Sequence, residues 1–476
     1  MSTSYSSRAA FFAIAVGVAS FSLLQSLVYP VIPLIAGDFH VTADAASWTV
    51  TSWLIAAAVL TPLLGRIGDL RGRRNTFLIV LIVIAIGDLV AAFAPNLPVL
   101  VFGRVLQGVG GAVIPLAAGL FRDVMPREKL VGALGAMSAI VGIGSAAGSA
   151  LAGPIAQAFG WHGIFGAVFL VALAGILLTV FLVPRVGHRV QGRINVWSAL
   201  LLSAWLVALL VPLSSGARWG WTSPLTISLF VAAAVLIALW AISELRTDDP
   251  LVDLRLMAQR SIWPVNAATL LVGATAFGFW GYLPQFLETP TSSGWGMGLD
   301  AQAAGLALLP LLIGMSAVGF AIGRLARVIP IRLLLAIGAL LMAGGVTFAI
   351  LAHTEYWMLA TAGGVFGVGI GLAYASASNV IVQGVPIDQV GIATGVNANL
   401  RTIGSGIGSA LTAALVFGTV KAGEAPAISG YLTAWITLAA AAVLAAAIVL
   451  LVRTGAAPGT NHAVDPTESV PESSNA

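Results

Sequence analysis

The sequence predicts an all-α polytopic membrane protein, and three observations carry that prediction. First, 59% of the 476 residues are hydrophobic and only 8% are charged, with a mean hydropathy of +1.00; a soluble chain carries about a quarter charged residues. Second, the apolar residues gather into runs of about 20, the length that crosses a bilayer as a helix. Third, the few cations cluster in the short segments between those runs, on one side of the implied membrane.

Taken in order, the runs fall at approximately 9–34, 46–65, 75–94, 98–121, 130–155, 162–183, 195–214, 225–244, 262–287, 300–323, 331–352, 357–382, 390–418 and 430–452, which makes fourteen spanning helices. The first follows a short charged stretch ending at Arg8, and its length reads as an uncleaved span rather than a signal peptide. Gly and Pro inside several runs are compatible with spanning helices, because neighbouring helices satisfy the freed backbone groups. The tail 453–476 mixes Pro, Ser, Thr and Glu without apolar periodicity and reads as a disordered cytoplasmic segment.

An even number of spans puts both termini on one side. With odd-to-even loops placed outside, 18 of the 22 Lys and Arg lie inside, only Arg218 and Lys421 lie outside, and Arg104 and Arg401 fall within spans. Trp219 and Trp221 beside Arg218 suit an outer interfacial belt. This distribution explains the high isoelectric point without invoking nucleic acid. The lack of cysteine excludes disulfides, thiolate metal sites and cysteine nucleophiles. The five histidines (40, 162, 188, 353 and 462) are scattered without metal-ligand spacing. No Gly-x-x-x-x-Gly-Lys-Ser/Thr signature is present, so neither a nucleotide nor another cofactor is expected. Absence of cysteine and of an Asn-x-Ser/Thr acceptor fits a plasma (inner) membrane of a bacterium, with both termini cytoplasmic.

The chain also repeats. Gly144-Ser-Ala-Ala-Gly-Ser-Ala-Leu151 recurs as Gly404-Ser-Gly-Ile-Gly-Ser-Ala-Leu411, and at the same displacement of 260 residues Pro126 meets Pro386, Glu128 meets Asp388 and Gly135 meets Gly395. The fifth run therefore corresponds to the thirteenth. That pairing divides the chain into an N-terminal six-helix bundle (9–183), an inserted helix pair (195–244) and a C-terminal six-helix bundle (262–452). Two parallel repeats are an architecture of alternating-access transporters.

Three motifs carry a family resemblance. Between the second and third runs lies Gly65-Arg66-Ile67-Gly68-Asp69-Leu70-Arg71-Gly72-Arg73-Arg74, four arginines and one acid in ten residues, read as a tight inter-helix turn. The fourth run carries Arg104-Val-Leu-Gln107-Gly108, and the fifth a glycine ladder, Gly144 and Gly148, ending at Gly153-Pro154. In these features the chain resembles the major facilitator superfamily, specifically its fourteen-helix drug–proton antiporter branch. Gly65, Asp69, Gly72, Arg73 and Arg74 match the family's loop motif Gly-x-Leu-x-Asp-Arg-x-Gly-Arg-Arg, with Leu70 standing where Arg is usual. The branch also has an acid in the first helix; the aligned Leu23-Leu24-Gln25-Ser26 has none.

The resemblance implies that Asp69 latches the cytoplasmic side against the helix beginning near Asp388, where a carboxylate gains from the helix dipole; as a plain positive-inside anchor the loop would not need the acid. Arg104 lies about six residues inside its run, about 9 Å deep, and an intramembrane arginine is costly enough to expect a role. Asp88 sits at matching depth on the neighbouring run, joined by the short turn Pro95-Asn96-Leu97-Pro98. It is expected to partner Arg104, either as the protonatable group replacing the missing acid or as a structural acid near the outer surface. Arg401, near the midplane, shares a helical face with Asn397; facing a cavity it would hold an anionic group, and facing a neighbour it would join helices. Gln25, Tyr29, Trp280, Tyr282, Asn379 and Gln383 are candidate lining of a substrate cavity or packing residues. Gly144, Gly148 and Gly153 give a smooth face for close packing, and Pro154 a bend.

Together these features favour a secondary transporter, proton-coupled and exporting amphipathic small molecules, functional as a monomer in the lipid bilayer with protons and a small-molecule substrate as partners. A symporter or facilitator for a small, possibly anionic solute is the alternative favoured by the missing acid and the two intramembrane arginines. A membrane enzyme would need convergent nucleophiles and acids at one depth, which the sequence lacks. A non-transporting receptor or assembly factor would more naturally carry a large soluble domain.

Overall fold

The computed structural model describes residues 7–185, 195–247, 250–252, 254–260, 262–384, 390–418 and 425–451. Thirteen helical runs among them are long and apolar enough to cross a membrane. One of these, Ile140–Leu182, has 43 residues, about 65 Å at 1.5 Å per residue and twice a hydrocarbon core. It belongs to Arg127–Leu182, whose backbone leaves helical geometry at Gly160 (φ 68°, ψ 177°). Such a left-handed φ is open to glycine and strained for other residues. Side-chain contacts show that the chain reverses there. Trp161 donates its indole N–H to Asp38 at one end of the molecule (3.0 Å), whereas the carbonyl of Val183 accepts from Arg74 at the other (2.7 Å). The run is thus two crossing arms, and the passes number fourteen. The break at Gly160 falls between the fifth and sixth runs read from the sequence, and Pro154 sits inside a helical stretch.

The passes are labelled in chain order: α1 Ser7–Asp38, α2 Ala43–Arg71, α3 Arg73–Ala92, α4 Leu97–Val124, α5 and α6 the arms 127–159 and 161–182, α7 Val196–Trp219, α8 Pro224–Arg246, α9 Trp263–Glu288, α10 Gln302–Val328, α11 Ile331–Leu351, α12 Tyr356–Gly384, α13 Val390–Phe417 and α14 Ile428–Leu451. Short irregularities interrupt α1 at Tyr29–Val31, α4 at Gly108–Ala112 and α9 around Gly281. Side-chain caps start several helices, as when Thr42, Asn96, Asn195 and Ser223 each accept from a backbone N–H three residues on. Each such cap satisfies a donor that the helix cannot.

The basic segment 65–74 is not an extended loop. Gly65 to Arg71 form the last two turns of α2, α3 begins at Arg73, and Gly72 alone makes the turn with φ 106°. A turn of one residue needs that positive φ, so the arginines on either side are held on helix ends rather than on a flexible loop. The end of the molecule that carries them is called the basic end below.

Two copies of one packing scheme build the flanking halves. In the first, α5 lies on α1, with Gly144 against Ser22 and Gly148 against Ser26 and the backbone of Leu23. In the second, α13 lies on α9, with Gly404 against the backbone of Leu270 and Gly408 against that of Ala274. The repeated Gly-Ser-Ala sequence is therefore a repeated contact, one in which backbones approach closely because no side chain intervenes. The halves meet along two seams, α5 with α10 and α2 with α13. The inserted pair α7–α8 packs over the second seam, where Leu201, Leu202, Trp205, Leu206 and Trp240 cluster with Ala58 of α2 and Val396 and Ile403 of α13.

Candidate functional site

Asp88, Arg104 and Gln107 come together where α3 and α4 touch. Gly87 and Gly103 make the approach possible: a Cβ on Gly87 would lie 2.9 Å from the Gly103 carbonyl oxygen, and one on Gly103 would lie 3.0 Å from the Gly87 oxygen. With the backbones that close, the Asp88 carboxyl reaches α4. Its Oδ1 accepts from Gln107 Nε2 at 2.7 Å, and Gln107 Oε1 accepts from Arg104 Nη1 at 2.6 Å. The expected direct Asp88–Arg104 pairing is thus corrected to a chain with Gln107 in the middle. The reason is local. Residues 104 and 107 are one turn apart on α4, and an amide both accepts and donates, so Gln107 occupies the space between cation and acid.

Arg104 also reaches α2, where Nε donates to the Thr49 carbonyl at 2.7 Å and the guanidinium lies 5.3 Å from the centre of the Trp53 ring. All three polar residues are fully buried. Asp88 Oδ2 has no hydrogen-bond partner among the described residues, so this buried carboxyl is held by one amide and by no cation directly.

At the basic end, Asp69 Oδ1 accepts from Arg73 Nε (3.0 Å) and Nη2 (2.8 Å), while Arg73 Nη1 donates to Asp123 at the end of α4 (2.8 Å). Arg74 reaches across to the end of α6, donating to the carbonyls of Thr179, Val180 and Val183. The motif therefore ties α2, α3, α4 and α6 of one half together. The partner expected for Asp69 in the other half, Asp388, lies outside the described residues. Asp123 was missed in the sequence because it stands 50 residues from Arg73, and nothing local marks it as that arginine's second acid.

The remaining candidates separate into a sealed group and an accessible one. Tyr29 and Trp280 are buried, with ring centres 6.3 Å apart across the two halves. Tyr282 is also buried and donates to the Ser409 carbonyl at 3.1 Å. Asn397 donates to Asn266 Oδ1 (3.0 Å) and Thr269 Oγ1 (2.9 Å) of α9, which makes it an inter-helix tie. Gly153 presses on the backbone of Gln302, and Gln157 donates to the Gln302 side-chain oxygen at 3.4 Å. The contacts of Tyr29, Trp280 and Gly153 lie toward the end opposite the basic one, whereas Asn397 and Asn266 lie near the starts of α13 and α9, toward the basic end.

Arg401 lies 4.8 Å from the centre of the Tyr374 ring of α12, while Asn397 is bonded to α9. Tyr374 was not anticipated; an aromatic on a helix apolar all round gives no sign of the face it occupies. Arg401, Tyr374 and Gln25 are partly exposed and Ser378 and Asn379 are exposed. Asn379 also donates to the Ala375 carbonyl (2.8 Å). Gln383 lies on α12 at a position whose side chain is outside the described set.

With this geometry in place, comparison with known proteins is direct. The family model of the Major Facilitator Superfamily matches residues 14–409. The chain belongs to that superfamily. It is similar to the tetracenomycin C resistance and export protein of Streptomyces glaucescens, 29% identical over 415 residues, covering 85% of this chain and 75% of the relative. It is also similar to the multidrug resistance protein Stp of Mycobacterium tuberculosis, 29% identical over 406 residues, covering 84% of this chain and 74% of that one. Among solved structures it shares the fold of the human organic anion transporter MFSD10 (TETRAN), with a TM-score of 0.62 at 14% identity, covering 93% of this chain and 98% of that one. The transporter is thus a multi-pass membrane protein of the superfamily, and its fourteen passes agree with the fourteen-helix branch. Family and relatives point to transport rather than to an enzyme.

Proposed function

We propose that this superfamily transporter is a secondary active exporter of amphipathic small molecules, driven by proton entry and working by alternating access. The basic end is cytoplasmic, both termini lie on that side, and the membrane is the plasma (inner) membrane. The positive-inside distribution supports the orientation. The names of the relatives, resistance and export proteins, support the substrate class and direction.

The observation that carries proton coupling is Asp88. A carboxyl inside a spanning helix is costly and is by default functional, and this one is buried with one oxygen on a neutral amide and the other without a hydrogen-bond partner among the described residues. It stands in for the first-helix acid that the branch usually has and that the aligned Leu23-Leu24-Gln25-Ser26 lacks. Gln107 links it to Arg104, so a change of charge at Asp88 is felt by a guanidinium tied to α2. The closed outer seam at Gly153, Tyr29 and Trp280 supports reading this state as open to the cytoplasm. In everted vesicles an acid interior should drive uptake of substrate by the wild-type protein and not by Asp88→Asn; uptake by the wild type that ignores the gradient would leave the facilitator reading in its place.

A further inference from the structure

The two intramembrane arginines are in opposite situations. Arg104 is enclosed, and its guanidinium donates to a carbonyl and an amide oxygen. Arg401 stands about 16 Å from the start of its 28-residue helix, near mid-membrane, at 1.5 Å per residue. It is only half-buried, and among the described residues its guanidinium has neither a hydrogen bond nor an ion pair, only the face of Tyr374 at 4.8 Å. Between residues 262 and 452 the described acids are Glu288, Asp300 and Glu355, and each lies at or beyond a helix end; Asp388 and Glu424 lie outside the described residues.

An arginine kept in a membrane span has a cost that something must offset. The ring of Tyr374 offsets part of it and orients the guanidinium plane, leaving its fork of N–H donors for a ligand. The same face of α12 continues one turn on with exposed Ser378 and Asn379. A polar helix face does not sit against lipid but lines a cavity. An apolar wall is close by: the segment of α4 from Val113 to Val124 touches α13, and its Ile114, Pro115 and Ala118 are partly exposed.

We propose that Arg401, braced on Tyr374, is the head-group site for an anionic amphipathic substrate, a molecule whose carboxylate or acidic phenolate meets the guanidinium while its apolar body lies along Ile114, Pro115 and Ala118. A planar two-oxygen anion is matched by the guanidinium fork. The assignment rests on the transporter reading above and narrows it, since a permanently cationic substrate would be repelled at this site. Nothing in the proton chain at Asp88 is required for it.

The test uses full-length purified protein in liposomes with three matched probes, pyrenebutyrate, pyrenebutanol and pyrenebutyl ammonium, each followed for binding by tryptophan quenching and for transport. Wild-type protein should bind the carboxylate about tenfold more tightly than the alcohol, the scale of one charge-assisted hydrogen-bonded pair. Arg401→Gln should lose that preference while binding the alcohol as before. Ser378→Asp, a change on an exposed face, should weaken the carboxylate alone and gives a second variant should Arg401→Gln not fold. Equal binding of carboxylate and alcohol by the wild type, or an unchanged carboxylate preference in either folded variant, overturns the anion site. The transport reading is scored separately: gradient-driven movement of the alcohol with no Arg401 effect keeps the exporter and removes the anion site. Arg401-dependent binding without movement of any probe keeps the site and removes the exporter.

Discussion

Gln107 Nε2 stands 2.7 Å from Asp88 Oδ1, so this acid, buried one turn from the end of α3, is held among the described residues by an amide and not by a cation. Ionised or protonated, the Asp88 carboxyl keeps an oxygen that accepts from Gln107 Nε2, while Gln107 Oε1 keeps accepting from Arg104, which has donors only. The link between Asp88 and Arg104 can therefore survive either charge state of the acid, which a direct ion pair could not do. Gln107→Leu removes that link and leaves the polar groups of both neighbours without their partner. It should lower thermal stability by about 1–3 kcal/mol and abolish gradient-driven transport. Gln107→Glu keeps the shape and places an acid beside Arg104; it should retain the fold and change coupling. Melting curves and vesicle uptake on the same preparations separate the two effects.

The two-acid grip of Arg73 gives a second expectation. Arg73→Ala removes the arginine's contacts with Asp69 and Asp123, whose side chains are 34% and 7% exposed. Screening weakens the more exposed Asp69 contact, so Asp123→Asn should destabilise more than Asp69→Asn. If Asp69 also serves a latch in the other half, Asp69→Asn should instead affect transport rates more than melting temperature. Comparing melting temperature with transport rate in the two variants decides between these uses of Asp69.

Glu244 anchors the inserted pair. It is buried and accepts from Ser198 (2.6 Å), the Trp240 indole (3.1 Å) and the Leu251 backbone (2.9 Å). Glu244→Ala leaves those donors without a partner and should cost about 1–3 kcal/mol, with proteolytic cleavage appearing first near the 247–260 connection. Transport should persist in the surviving folded protein, because this anchor touches neither Asp88 nor Arg401. Limited proteolysis beside a transport assay checks both halves of the statement.

The outer seam depends on Gly153. A Cβ there would come 2.7 Å from the Gln302 nitrogen, so Gly153→Leu should wedge α5 from α10 and favour the state open at the outer end. The natural lack of cysteine makes a single Ser378→Cys reporter clean. An impermeant maleimide should label it from the cytoplasmic side in the parent and from the outer side once Gly153→Leu is added; labelling unchanged by Gly153→Leu would contradict the seam's role.

Much of the fold was legible because a bilayer constrains sequence strongly. The length of each apolar run set the number of passes, and the placement of cations tied the ends of those passes together. The two Gly-Ser-Ala copies read as one repeated element, and the structure shows the same contact made twice. What stayed hidden was the facing of each helix. Helices apolar on every side carry no stripe to orient them, so nothing in the sequence set Arg401 over Tyr374 rather than beside Asn397. Nor did anything local show that Arg73 would divide itself between Asp69 and Asp123. The Asp88–Arg104 neighbourhood was legible from the short turn joining α3 and α4, and Gln107 was singled out with them, while its place between acid and cation was not legible. The reversal at Gly160 falls in the gap that the sequence leaves between the runs 130–155 and 162–183; only which residue makes it was hidden, because a glycine among many is marked only by its φ.

The central claim is that Asp88 carries the proton that drives export. Its most direct test is substrate-evoked proton release from acid-loaded liposomes containing purified protein, read with a pH-sensitive dye inside. Wild-type protein should release protons when an exported compound is added, and Asp88→Asn, with an unchanged melting temperature, should bind the compound yet release none. Proton release by Asp88→Asn at the wild-type rate would contradict the account.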